Sequence, residues 1–99
     1  MIHHVVVITL KDGITDEQVS AVLEGFATLP AAIPQIRSYH FGRDLGLSQN
    51  SFALALVAEF DSAEDFAIYR EHPAHTDFVS HLLGPVSQSR ASIQFSGSG

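Results

Sequence analysis

Residues Ile2 to Leu10, IHHVVVITL, form a β-branched run that is apolar on both of the faces a strand presents. His4, Val6, Ile8 and Leu10 fall on one side, and His3, Val5, Val7 and Thr9 on the other. The stretch Phe52 to Phe60, FALALVAEF, repeats the pattern, with Phe52, Leu54, Leu56, Ala58 and Phe60 set against Ala53, Ala55, Val57 and Glu59. Strands of this kind need cover on both faces. A chain of 99 residues makes one domain with one core, so the second cover has to come from elsewhere.

The segments between and after these strands read as helices and further strands. Thr15 with Gln18 three residues on forms a capping box, and Asp16 and Glu17 sit in the positive first turn. Val19, Val22, Leu23 and Phe26 make the inward stripe of that helix, which Pro30 and Pro34 are expected to close. The segment Ile36 to Gly42 (IRSYHFG) alternates as a second strand. The loop RDLGLSQNS after it lacks the glycine spacing of a phosphate cradle. Ser62 then opens a second helix on which Phe66 and Tyr69, three apart, share a face.

Pro73 ends that helix, pushes His72 out of the α region and is well placed to begin a further helix. In it His75, Phe78, Val79 and Leu82 fall at i, i+3, i+4 and i+7, which sets His75 on the inward stripe. Gly84 and Pro85 are expected to end the helical pattern, and Ala91, Ile93 and Phe95 alternate with Ser92 and Gln94 in a last strand. The order is β, α, β, β, α, β. Right-handed crossovers then place both helical layers on one face of a single antiparallel sheet, an α+β ferredoxin-like sandwich. The opposite face is left bare and apolar, which predicts a homodimer about a two-fold axis. Residues 1–96 are expected to form this one domain and 97–99 a flexible C-terminal tail.

Charge narrows the partners. The net charge is -6, and the five basic residues Lys11, Arg37, Arg43, Arg70 and Arg90 are scattered, so neither nucleic acid nor an anionic membrane is an expected partner. Without cysteine there is neither a disulfide framework nor a thiol nucleophile. No apolar run approaches the length of a membrane span, and with strand character from Ile2 a signal peptide is not expected. A cytoplasmic location is the expectation.

Six histidines stand beside five basic residues. His40 and His81 read as surface or half-buried structural residues. His3, His4, His72 and His75, with a nearby Asp or Glu, could in principle ligate a metal but are not expected to, because adjacent strand residues point to opposite faces, Pro73 spoils the helical geometry of the latter pair, and no H-E-x-x-H occurs. No metal and no cofactor is expected. His4, Tyr69 and His75 are each placed on an inward face by local periodicity. They are either hydrogen-bonded core groups or a working set. In the second case a histidine with a pKa of about 6.5 takes a proton at neutral pH, and a tyrosine of about 10 donates to a developing oxyanion, which together would enolise a carbonyl compound. The packing of Phe26, Leu54, Phe66 and Phe78 is expected to set the size of such a pocket. No serine lies in a G-x-S-x-G setting, and Asp61, Glu64 and Asp65 are explained as the acidic start of a helix.

The opening MIHHVVVITLKDGIT, the turn AIPQI, the GRDLG loop, FALALVAEFDS and above all YREHPAHTDF resemble the stress-responsive dimeric α/β-barrel (Dabb) domain family, over nearly the whole chain from Ile2 to Phe95. The resemblance implies a ferredoxin-like protomer whose sheet joins that of a second copy to form a barrel. Members of that family include a cofactor-free polyketide cyclase and a hydroxynitrile lyase. By analogy with the cyclase, His75 would be the general base, Tyr69 would polarise the carbonyl and His4 would shape the pocket. Leu54 and Phe26 stand where that enzyme carries a pocket histidine and tyrosine, which removes polar handles for a polyketide. The expectation is a cofactor-free cyclase, lyase or isomerase acting on a small, largely apolar carbonyl compound. The alternative is a non-catalytic small-ligand binder or structural stress-response homodimer.

Overall fold

Along the chain run β1 (Ile2–Leu10), α1 (Asp16–Ala32), β2 (Ser38–Arg43), β3 (Leu54–Phe60), α2 (Ala63–Glu71), α3 (Pro73–Phe78), a π-helical turn (Val79–Leu83), α4 (Gly84–Val86) and β4 (Ser87–Ser96). The structure is a computed structural model and describes residues 1–97. Of the tail expected over 97–99, only Gly97 falls among the described residues. The four strands form one antiparallel sheet in the order β2-β3-β1-β4, so the two doubly apolar strands lie at its centre. The fold is the ferredoxin-like α+β arrangement expected from the element order.

Pairing of β1 with β3 brings His4, Val6 and Ile8 opposite Ala58, Leu56 and Leu54 on one face. That face is covered: Ile8, Leu54, Leu56, Ala58 and Phe60 are all buried and form one core with Val19, Val22, Phe26 and Leu29 of α1. On the other face Val5 pairs with Val57 and Ile93, and His3 with Glu59 and Phe95. Nothing among the described residues covers this second face, where Val57 is 38%, Phe95 46% and Ile93 58% exposed. The apolar half of β4 therefore points away from the helices. Its polar half, Arg90, Ser92 and Gln94, shares the helix side with Ile8, Val6 and His4.

Helix starts follow the sequence. Thr15 and Gln18 make the reciprocal capping box, at 3.2 Å and 2.8 Å, and Ser62 accepts the Asp65 N–H at 3.1 Å. Helix ends and strand starts differ from expectation in five places, one being β4, which begins at Ser87 rather than Ala91. α1 continues through Pro30 to Ala32, because a proline this near the end deletes only one bond, and the Ile33 N–H still reaches the Leu29 carbonyl at 2.9 Å. β2 begins at Ser38 rather than Ile36, since the Ile36 N–H is taken by Ile33 in a turn. β3 begins at Leu54 rather than Phe52, which stays in the loop at 40% exposure.

Helical structure also passes through Gly84 and Pro85 to Val86. Pro85 has no N–H, and the turn before it widens so that the Gly84 N–H bonds the Val79 carbonyl five residues back. Glycine is required there because a Cβ would lie 2.9 Å from that carbonyl oxygen. Ser87 Oγ then donates to the Leu83 carbonyl at 2.6 Å and closes the segment.

Candidate active site

The site grows from the joint between α2 and α3. His72 adopts φ -64 and ψ 135, the extended conformation that a following proline imposes, and its Nδ1 accepts the Ala74 N–H at 3.0 Å. His72 is thus the cap of α3. The joint turns the chain so that His75 lies back over the end of α2, with Nδ1 3.0 Å from the Arg70 carbonyl oxygen. A carbonyl only accepts, so Nδ1 carries the proton and the neutral ring keeps its lone pair on Nε2.

Tyr69 is 1% exposed, and its ring centroid lies 4.4 Å from that of His75. Its hydroxyl is 2.8 Å from the hydroxyl of Tyr39 on β2. No other partner for the Tyr39 hydroxyl is found among the described residues. With Tyr39 donating, the Tyr69 O–H is left free for a further acceptor. His4 on β1 is the buried polar member, packed 4.8 Å from Phe66 and 6.0 Å from Tyr69 between ring centroids. The Gln94 side-chain amide donates to His4 Nδ1 at 2.9 Å.

His4, Tyr69 and His75 border a cavity of about 240 Å³ between the inner sheet face and the helices. Val6 and Leu56 floor it, Phe26, Phe78, Val79 and Leu83 wall it, and β4 supplies Arg90, Ala91 and Ser92. Burial sets the protonation states. His4 is held down to about 4, first by burial and then by the nearby His75. His75 is lowered chiefly by burial, with the charges of Arg90 and His72 adding to the effect and the Arg70 carbonyl opposing it. Tyr69 is pushed up to about 12 by burial against the opposing hydrogen bond from Tyr39, and Tyr39 is itself raised by burial. At neutral pH the cavity therefore offers neutral imidazoles and protonated phenols.

Of the residues singled out by sequence, His4, Phe26, Tyr69, His75 and Phe78 line this one cavity. Phe66 is not in its lining and packs behind His4, against Phe60. Leu54 is 1% exposed and lies on β3 opposite Ile8 and Arg43, away from the lining. His3 faces the other side of the sheet, stacked on Phe95 at 5.0 Å with Nδ1 3.4 Å from Glu59. Among the described residues no three His, Cys, Asp or Glu side chains come together as a metal set. Sequence reasoning missed Tyr39, Arg90 and Gln94. Arg90 and Gln94 had a signal in the polar half of the β4 alternation, and Tyr39 had one in its alternation with Phe41.

Comparison with known proteins adds to this geometry. The family model described as the stress responsive A/B barrel domain matches residues 2–96. The chain is 28% identical over 89 residues to the stress-response A/B barrel domain-containing protein HS1 of Arabidopsis thaliana, covering 88% of this chain and 82% of that protein. It is 28% identical over 79 residues to olivetolic acid cyclase of Cannabis sativa, covering 78% of each. A solved dimeric ferredoxin-like protein of unknown function from Thermobifida fusca superposes with a TM-score of 0.88 at 35% identity, covering 95% of this chain and 88% of that one.

Proposed function

Since the chain belongs to the stress-responsive A/B barrel domain family, we propose that it is a cofactor-free acid/base catalyst acting on a small carbonyl compound in the cavity between sheet and helices. The observation that carries the reading is the side-by-side placement of Tyr69 and His75 on the cavity wall, with the His75 tautomer fixed by the Arg70 carbonyl. In the proposed step His75 Nε2 removes a proton from the carbon next to the carbonyl. The C–H electron pair forms a carbon–carbon double bond, and the carbonyl π pair moves to oxygen. Tyr69 O–H donates to that oxygen as its charge grows. The imidazolium then returns the proton, either to carbon, as in an isomerisation, or to the new alkoxide when the enolate has attacked a second carbonyl. Each proton removed is restored, and the cycle consumes no redox partner.

The surroundings suit such a step. Phe26, Phe78 and Leu56 give the cavity dry walls, which strengthen the hydrogen bond from Tyr69 relative to water. One relative bears the name of a cyclase, which supports chemistry of this class in the family. The bare, apolar sheet face is proposed to pack on a second copy, as the description of the Thermobifida fusca relative as dimeric suggests.

The test is exchange of substrate protons for deuterium, followed by NMR for a panel of small aromatic ketones and β-keto compounds, together with the pKa of His75. His75→Ala is expected to lower exchange by about 10²- to 10⁴-fold, the range for a lost general base, while the circular dichroism spectrum stays that of the wild type. Full exchange in that variant would sink the assignment. A panel in which no compound moves the His75 resonances would instead favour a structural dimer with His75 as a core residue.

A further inference from the structure

Arg90 stands on β4 opposite Ile8, on the sheet face that the helices cover, and it lines the same cavity as His4, Tyr69 and His75. It is an unusual resource in this molecule. Arg37 is paired with Asp61 at 2.6 Å, Arg43 is paired with Asp16 at 2.9 Å, and Arg70 lies over the Phe66 ring at 5.6 Å. Among the described residues Lys11, Arg70 and Arg90 have no carboxylate partner, and of these Arg90 is the one that lines the cavity. A guanidinium without a carboxylate partner, on the edge of a mainly apolar cavity that His75 also lines, has the chemistry to receive an anion. In a chain of net charge -6 a cation on the cavity's edge gives an anionic ligand a local attraction against an overall unfavourable field.

We propose that Arg90 is the carboxylate-binding residue of this cavity, so that its ligands are small oxo acids held by the carboxylate at β4 with the carbonyl turned toward Tyr69 and His75. This rests on the reading of the cavity as a carbonyl site and narrows it to one substrate class. The fork of the guanidinium matches the two carboxylate oxygens, and an anchor at one end of the ligand fixes where its reactive carbon lies. Ser92, the next residue on the same face of β4, supplies a hydroxyl beside that anchor.

The test compares levulinate, an oxo acid, with its neutral methyl ester in titrations of the full chain read from the His75 ring resonances. The acid is expected to bind the wild type about tenfold more tightly than the ester, or better, as a charge-assisted pair would give. Arg90→Gln is expected to collapse that ratio to about unity, and Arg90→Lys to keep part of it, because a point charge lacks the fork. The inference is overturned if acid and ester bind the wild type alike, if neither binds, or if the ratio survives Arg90→Gln. Deuterium exchange in the same samples separates this from the catalytic reading. Exchange that depends on His75 but shows no preference for the acid removes the oxo-acid assignment and leaves the catalyst. Binding of the acid that depends on Arg90 but is accompanied by no exchange leaves the anion site and removes the catalyst.

Discussion

His4 shows how one buried ring ties stability to acidity. The residue is 7% exposed and its pKa is held down to about 4, whereas in an unfolded chain it would titrate near the ordinary histidine value of 6.5. Above that value both states are neutral and pH has no effect through this group. Between pH 6.5 and about 4 the unfolded chain takes up a proton that the folded chain refuses, so stability falls as pH falls. Below about 4 both states are protonated and the loss stops. The shift sets the loss at roughly 3 kcal/mol at most. Urea unfolding at pH 7 and pH 4.5 is expected to show a smaller acid loss in His4→Gln than in the wild type. Equal losses in the two proteins would show that His4 is not held neutral. The inward setting of His4, Tyr69 and His75 was legible in the sequence, because each follows from the period of its own element. Their partners were not. Tyr39 lies 30 residues from Tyr69 and Gln94 lies 90 residues from His4; the sheet register brings Gln94 to His4, and the packing of α2 on the sheet brings Tyr69 to Tyr39.

At the scale of elements, the contact between α1 and the α3 segment sets the shape of the cavity. Gly25 lies where a Cβ would collide with the Phe78 ring and come 3.0 Å from Leu82, so the two helices approach over a bare backbone. Phe78 cannot readily withdraw, since Phe26 packs on it with ring centroids 4.8 Å apart. Gly25→Ala is therefore expected to destabilise the protein by about 1–3 kcal/mol through overpacking, outweighing a gain of about 1 kcal/mol in helix propensity. Urea unfolding decides it. A net rise in stability would mean that Phe78 moves into the cavity at little cost. Element order and both helix caps were readable from Thr15, Gln18 and Ser62, because capping is local chemistry. Proline misled at Pro30 and Pro85. Its effect depends on which bond it deletes and on what the neighbouring backbone can do instead, and the π turn closed by Gly84 is such a substitute.

For the whole molecule, the uncovered sheet face is the dominant fact. Val5, Val7, Val57, Ile93 and Phe95 make one apolar surface, and a surface of this kind on a small domain marks an interface. In sedimentation equilibrium the wild type is expected to be a dimer and Ile93→Glu, at a position 58% exposed and outside the core, a monomer with the circular dichroism spectrum retained. A dimeric Ile93→Glu protein would place the contact elsewhere. The bare face itself was legible at the start, because strands that are apolar on both faces cannot be satisfied by one helical layer. The side of the cavity formed by β4 has a different consequence. Arg90 and Ser92 border the cavity yet contribute nothing to the buried core, whereas Tyr69 is part of that core. Replacing exposed residues of this sort shifts stability by no more than about 0.5 kcal/mol. The lining of the cavity can therefore change by drift along a single edge strand, while the Tyr69–His75 pair and the fold beneath it are inherited unchanged.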